Sequence, residues 1–460
     1  MRRRKADLSR RVNRELRVEF SESGLTSYAG LELLIRYLRR IDFNGLIRQH
    51  LTGLARDFGV TAMVRVVLGL LIVGGRRLQH VTHLVGDPLF HRFCGLAQLP
   101  GRFTLSRWLQ QFTGRGIERL GALNAAVVAH MIHLLPGLRT LTIDVDGTVL
   151  STGLTVERAF RGFNPHHRKV PSYYPITAHL AETGHVLRVK NRSGNINDGK
   201  ASLTFLRELF AQVADTLGRA FRLRFRMDGD FFKETVVRLL IARGAGYAIK
   251  VPFWQWLDLQ QRIRECRQWH RVTGDVSSFE GHLSLRPWQL ALRVVIYRKV
   301  VHHRSAKNYQ LDLFDPSDGY YEYSAVATNL ELSARKLWHF MCGRGAHEKV
   351  IGELKSGLAF NTIPTRHYGA NSAWQQLVAL AHNLITNFQI ETGAPARRHS
   401  AKRTAIHVLK SVQTLRFELF HRAGRLVHPD GVTILRMARN EPTRRLFLRI
   451  AEHLEHVRAA

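Results

Sequence analysis

The stretch LTIDVDGTVL, residues 141–150, restricts the fold more than any other part of the sequence, because its apolar and polar side chains alternate. Leu141, Ile143 and Val145 fall on one face, and Asp144 and Asp146 fall on the other, as in a half-buried strand. The pattern then predicts a hairpin around 182–185 and a helix closed by a glycine. These are followed by a second alternating strand (FRLRFRMDGD, 221–230), another helix and another strand. This order predicts a mixed α/β sheet.

The chain before this sheet shows helical periodicity and almost no strand signal up to about residue 135. Within it, residues 87–112 predict two helices joined by a turn, with Thr104 as the N-cap of the second helix. Ser106 and Arg107 then lie on the exposed side of that helix. A DNA-reading helix-turn-helix and a plain helical hairpin both fit this pattern.

The charge balance indicates a polyanionic partner. The chain has 69 Lys and Arg against 36 Asp and Glu, a formal net charge of +33. Such an excess favours nucleic acid, since binding releases condensed counterions. The basic start, residues 1–16, is either a solvated arm or one that contacts nucleic acid.

Cysteine usage and hydropathy indicate a cytoplasmic protein that does not span a membrane. The three cysteines lie far apart, without the spacing of a zinc site or a disulfide framework, and this fits a reducing compartment. The longest apolar run is too short for a bilayer. We expect the protein to lie on the nucleoid when it is bound to DNA.

Changes of pattern along the chain predict four parts. They are a helical DNA-binding region (1–135), an α/β core formed by 136–251 together with 330–395, a β-rich and aromatic-rich insertion (252–329) and a basic C-terminal region (396–460).

Three acidic positions are expected to meet at one end of the sheet. Asp144 or Asp146 lies on the first strand, Asp228 ends a later one, and Glu348 lies on a helix beyond the insertion. A right-handed crossover places the two strands side by side. Clustered carboxylates repel one another unless hard cations neutralise them, and two Mg²⁺ ions about 3.5–4 Å apart serve phosphodiester chemistry. Asp230 is expected to cap the next helix instead.

The segment RGAHEKVIGELKSG, residues 344–357, predicts a helix with one polar stripe. Arg344, Glu348 and Lys355 fall on the same face because they are four and seven residues apart. A solvated face of ion pairs explains such a stripe as well as a functional site does.

These motifs together resemble the DDE transposases of bacterial insertion sequences. The matching residues are DGT at 146–148, RMDGDF at 226–231, and the R-(3)-E-(6)-K part of the signature helix at 344–355. The family's tyrosine position holds Met341 here, a departure that does not touch the metal site.

The resemblance implies a ribonuclease-H-like catalytic core and assigns residue roles. Asp146, Asp228 and Glu348 become catalytic residues and ligands of two Mg²⁺ ions, with Mn²⁺ as an alternative metal and Asp144 as the alternative to Asp146. Arg344 and Lys355 are expected on DNA phosphates, and Ser106 and Arg107 on DNA in the helical region. Three tryptophans of the insertion either hold distorted DNA or form its core: Trp254, Trp256 and Trp288.

The implied function is DNA transposition. The enzyme hydrolyses a phosphodiester at each element end, and the freed 3′-OH attacks target DNA. Its partners are double-stranded DNA, as terminal inverted repeats and as target, and a second copy of the chain when DNA is bound. Two alternatives remain open: a nuclease of the same fold without strand transfer, and a DNA-binding protein derived from a transposase.

Overall fold

The structure, a computed structural model, describes residues 22–53, 58–162, 164, 169–196, 199, 201–300, 320–398, 400 and 403–456. The basic arm at 1–16 lies outside these residues. No helix in the described ranges is both long and apolar enough to cross a bilayer.

Fourteen strands are found in the described part of the chain. They are β1 Leu25–Thr26, β2 Thr140–Gly147, β3 Leu150–Ser151, β4 Ser172–Tyr173, β5 Ile176–Leu180, β6 Val186–Lys190, β7 Arg222–Met227, β8 Gly246–Val251, β9 His270–Thr273, β10 Val276–Leu285, β11 Leu290–Val300, β12 Tyr321–Thr328, β13 Gly424–Val427 and β14 Ile434–Met437.

The α-helices described are α1 Leu31–Arg40, α2 Phe43–His50, α3 Val60–Ile72, α4 Pro88–Cys94, α5 Arg102–Gln110, α6 Gly114–Leu134, α7 Ser202–Thr216, α8 Glu234–Ala242, α9 Leu259–Glu265, α10 Ala334–Cys342, α11 Gly345–Gly352, α12 Tyr368–Glu391, α13 Val412–Leu415 and α14 Glu441–His456.

Nine strands form one central sheet, in the order β6-β5-β2-β7-β8-β12-β11-β10-β9. The strands β2, β7 and β8 run parallel to one another, whereas β5 and β6 are antiparallel and extend the sheet on the other side of β2. This confirms the mixed α/β sheet and agrees with the ribonuclease-H-like core that the resemblance implies. The parallel β2–β7 pair also confirms that the two aspartate-bearing strands are neighbours.

The strands predicted for residues 252–329 continue this sheet. β12 pairs antiparallel with β8, from Ala325 opposite Val251 to Thr328 opposite Ala248, and β11, β10 and β9 follow outward. The aromatic-rich segment therefore shares backbone hydrogen bonds with the core strands.

Helices cover both faces of the sheet. Apolar residues of α7 and α8 pack on one face, and Leu337 of α10 packs on the other against Ala248 and Val295. The helices that precede the sheet share a second core with α12, whose Trp374 and Leu377 are fully buried. This second core also takes in the C-terminal region.

The helical region contains one strand that its periodicity did not predict. β1 is two residues long and pairs with β13 of the C-terminal region. Its pairing partner is distant in sequence, so local periodicity contains no signal for it.

Two predicted helix caps are wrong. α5 begins at Arg102 with Gly101 as its N-cap, so that Thr104 lies inside the helix. Asp230 does not cap α8, whose N-cap is Lys233. Instead Asp228 accepts a hydrogen bond from the Asp230 backbone N–H and caps a short 3₁₀ turn.

We expect Gly30→Ala to destabilise the fold by about 1–3 kcal/mol, because overpacking displaces the backbone. A Cβ atom at Gly30 lies 2.0 Å from the Leu419 backbone oxygen, where the C-terminal region meets α1. Gly101 is the matched control, since it also precedes a helix at negative φ but has nothing within 4 Å of an added Cβ. Urea unfolding of the full chain measures both. Equal stability of the two variants would contradict this close approach.

Candidate active site

A fully buried ion pair joins the two central strands. Asp144 lies opposite Arg226 in the β2–β7 register, and the guanidinium donates to both carboxylate oxygens, Nε to Oδ1 at 2.5 Å and Nη2 to Oδ2 at 2.6 Å. The Nη1 atom donates to the Phe340 backbone oxygen at 2.8 Å. Burial raises the pKa of Asp144, and the charge of Arg226 opposes that rise. The pair therefore ties β2, β7 and α10 together.

The end of α10 approaches Arg226 so closely that a side chain at position 343 would displace the guanidinium or the helix end. A Cβ atom at Gly343 lies 2.2 Å from the Arg226 Nη1 atom. The helix is interrupted at this point, since α10 ends at Cys342 and α11 begins at Gly345.

The helix predicted for residues 344–357 is present, but it is not one regular α-helix. Arg344 is the N-cap of α11, Glu348 is exposed in its first turn, and Lys355 belongs to a π-helical turn, Glu353–Gly357. The three residues do not share one regular helix face.

Asp146 and Asp228 share one cation, the guanidinium of Arg344. Its Nη2 atom lies 2.7 Å from Asp146 Oδ2 and 3.5 Å from Asp228 Oδ2. The two aspartate side chains are 23% and 32% exposed, in contrast with Asp144. Burial alone lowers the pKa of Arg344, but the carboxylates of Asp146 and Asp228 outweigh it, and the pKa is raised. Asp144 and Glu348 add to that effect in the same direction.

Lys355 contacts the segment that follows Asp146 in the chain. Its ammonium group donates to the Val149 backbone oxygen at 3.2 Å, three residues after Asp146. Burial lowers the pKa of Lys355.

Two buried histidines behind the aspartates were missed by the sequence reasoning. His347 precedes Glu348 on α11, and its Nδ1 atom lies 2.6 Å from Nδ1 of His179 on β5. The His179 Nε2 atom lies 3.5 Å from Asp144. Burial lowers the pKa of His347 to about 3, so that it is neutral at pH 7 and fixes α11 to the sheet without adding charge. Its apolar neighbours on the helix are the only local signal of its burial.

The two aspartates fit a hard divalent cation, because their oxygens already converge on one cationic group. The third predicted ligand is not gathered with them: within the described residues, no three His, Cys, Asp or Glu side chains form a set that could hold a metal ion. Arg344 lies where the aspartates meet, and Glu348 points its charge at the same guanidinium.

The remaining predicted residues lie away from this centre. Ser106 and Arg107 lie on α5, where Ser106 Oγ accepts a hydrogen bond from Gln110 at 3.2 Å and Arg107 is exposed. Trp288 is buried against Phe232, close to the turn after Asp228. Trp254 stacks on Trp256, which is exposed.

The sequence and the structure were compared with those of known proteins. The sequence model of the family described as "Transposase DDE domain group 1" matches residues 8–459. No curated protein sequence matches the chain. One similar solved structure is the cryo-EM structure of a piggyBac transposase synaptic complex with hairpin DNA, at 12% identity over 87% of this chain and 83% of that chain, with a TM-score of 0.43.

We expect Asp144→Asn to destabilise the protein by about 3–5 kcal/mol, because it leaves the Arg226 charge buried without a counter-charge. Asp146→Asn is the matched control. It should change the free energy of unfolding by less than about 1 kcal/mol, since its ion pair is partly exposed and Arg344 keeps Asp228 as a partner. Thermal and urea unfolding distinguish the two variants. An equal loss of unfolding free energy in both would contradict the structural role of Asp144.

Proposed function

The chain belongs to the transposase DDE domain group 1 family, and on this premise we propose that it moves a bacterial insertion sequence by cutting and joining DNA at the Asp146–Asp228 centre. The observation that carries this proposal is the convergence of both aspartates on one cation at the end of the sheet, at 2.7 and 3.5 Å. Asp146 lies on β2 and Asp228 directly follows β7. These two parallel strands are paired and are joined by the Asp144–Arg226 ion pair. A protein of net charge +33 presents such a centre to a polyanion.

Asp146 is proposed as the first catalytic carboxylate, in preference to Asp144. Both oxygens of Asp144 are held by Arg226 inside the core, whereas Asp146 reaches solvent. A group that acts on DNA has to be accessible to DNA. The burial of Asp144 therefore supports this choice.

Asp146 and Asp228, with Glu348 as the third ligand, would hold divalent cations, which we propose to be two Mg²⁺ ions, with Mn²⁺ as the alternative. When bound, the ions supply Lewis-acid stabilisation of the charge that develops on the phosphodiester. The aspartates fix the position of that charge because they extend from paired strands. The third ligand comes from α11, whose place is set by His347 against His179.

Arg344 and Lys355 are proposed to hold the DNA phosphates beside the scissile bond. Arg344 offsets part of the negative charge of the two aspartates in the structure, and its planar guanidinium would turn to a phosphate once cations take over that role. Lys355 extends from the opposite side of Asp146. Ser106 and Arg107 on α5 are proposed to contact the element end further from the bond that is cut.

The proposed reaction has two steps at the same centre. Water first attacks a phosphodiester at the element end and releases a 3′-OH. That 3′-OH then attacks a phosphodiester of the target DNA, which forms one bond and breaks another. Because an element has two ends, at least two copies of the chain act together on the DNA.

We expect Asp146→Asn and Glu348→Gln to abolish cleavage of DNA made from the terminal sequences that flank the gene, with little loss of DNA affinity. The carboxylates act on the reaction, whereas affinity comes from the basic surface. Asp215→Asn, an exposed carboxylate on α7, is the control. Calorimetric titration with Mg²⁺ alone gives a second measurement, in which Asp146→Asn should lose binding. Normal cleavage and normal Mg²⁺ binding by Asp146→Asn would reject the assignment.

A separate expectation concerns the phosphate contacts. Arg344→Ala and Lys355→Ala should each lower the strand-transfer rate at least about tenfold, because a misplacement of about 1 Å can cost ~100-fold in rate. Arg344→Lys should also be impaired, since an ammonium group cannot make the planar two-pronged contact.

Lys349→Ala is the control for these variants, because Lys349 follows Glu348 on the same helix and is exposed. Strand transfer is measured with pre-cut ends, which separates joining from hydrolysis. If both alanine variants join DNA at the wild-type rate, the charged residues of this helix form only a solvated face of ion pairs. Cutting without joining by the wild-type protein would favour the nuclease alternative.

A further inference from the structure

A basic cleft opens between the helical region and the two-stranded β3–β4 sheet. It has a volume of about 950 Å³ and lies between α5, the turn at 76–80, strand β3 and the loop at 361–364. Arg76, Arg77 and Arg102 line it, and its described lining contains no acidic side chain. Its electrostatic character therefore suits a phosphate backbone.

Two of these arginines are available to a ligand. Arg77 and Arg102 are both exposed, and neither forms an ion pair within the described ranges of the chain. Arg76 has a different role, since it donates to the backbone oxygens of Ser356 at 2.9 Å and Lys355 at 3.2 Å. Arg76 thus fixes the cleft against the π-helical turn of the active site.

Exposed apolar side chains lie at the cleft as well as charged ones. Phe103 lines it and is 67% exposed, and Leu154, next to the lining residue Gly153, is 77% exposed. The Arg102 guanidinium lies over the Phe103 ring, 4.6 Å from its centroid. An exposed aromatic ring in a cleft lined by arginines is the combination that binds unpaired nucleic acid, with phosphates on the cations and a base on the ring.

Lys355 and strand β3 connect the cleft with the proposed catalytic centre. The Lys355 ammonium donates to the Val149 backbone oxygen, three residues after Asp146, and the Lys355 backbone oxygen accepts from Arg76 at the cleft. Ser151, which lines the cleft, is five residues after Asp146 along the chain. These contacts place the cleft next to the segment that follows Asp146.

We propose that this cleft binds the DNA strand next to the cut phosphate, with its phosphates on Arg77 and Arg102 and one unpaired base stacked on Phe103. This inference rests on the proposed function, because it takes the Asp146–Asp228 centre as the place of cutting. It adds a binding site for single-stranded flanking DNA that is separate from the carboxylates, and Ser106 of α5 lies in its lining.

The test uses the full chain in the Asp146→Asn background, which prevents cutting. The probe is a forked duplex made from DNA that flanks the gene, with 2-aminopurine in the unpaired strand beside the junction. Arg77→Ala and Arg102→Ala should each weaken binding at least about fivefold and lower the slope of log Kd against log salt by about 0.7. Phe103→Ala should lose the fluorescence quenching of the stacked base, and Phe103→Trp should restore it.

The controls are Arg219→Ala, an exposed arginine before β7, and Phe417→Ala, an equally exposed ring outside the cleft. Both should bind and quench as the parent does. If the cleft variants show the same salt slopes and the same quenching as these controls, the cleft assignment is overturned, even if the wild-type enzyme cuts and joins DNA. A wild-type enzyme that neither cuts nor joins the DNA would instead reject the proposed function.

Discussion

The Asp144–Arg226 ion pair is the interaction on which the rest of the centre depends. Both side chains are fully buried, so that the loss of either leaves an uncompensated charge in the interior. The same guanidinium holds the end of α10 through the Phe340 oxygen, and a Cβ atom added at Gly343 would lie 2.2 Å from its Nη1 atom. Arg344 is the next residue, and its guanidinium reaches both Asp146 and Asp228. One buried pair thus links β2, β7 and the end of α10 beside the partly buried cation of Arg344.

Local sequence pattern predicted the central part of the fold because the relevant signals are local. Alternation identifies β2 and β7, helical periodicity identifies α7 and α12, and the handedness of crossovers makes β2 and β7 neighbours. The attachment of β12 to β8 could not be predicted in this way. Its register is set by side chains distant in sequence, and an alternating pattern does not indicate which strand it pairs with.

The candidate site was predicted in its residue types but not in its arrangement. Alternation places Asp144 and Asp146 on the same face, and only the identity of the facing residue, Arg226, separates a structural carboxylate from an accessible one. The broken helix was missed for a related reason. It lies where Arg226 approaches Gly343, a contact between distant segments, whereas helix propensity depends on neighbours along the chain.

Arg344 explains how a carboxylate cluster is compatible with a stable fold before DNA arrives. Two aspartates on adjacent strand ends repel each other, and the guanidinium between them removes that repulsion at 2.7 and 3.5 Å. Under the proposed function the same positions later receive cations and phosphates, so each state of the centre keeps a balance between positive and negative groups. Arg344 and its partners are partly exposed, whereas Arg226 and Asp144 are fully buried. Under the proposed function, this difference in burial would separate the fixed Asp144–Arg226 pair from the Arg344 contacts that change when DNA binds.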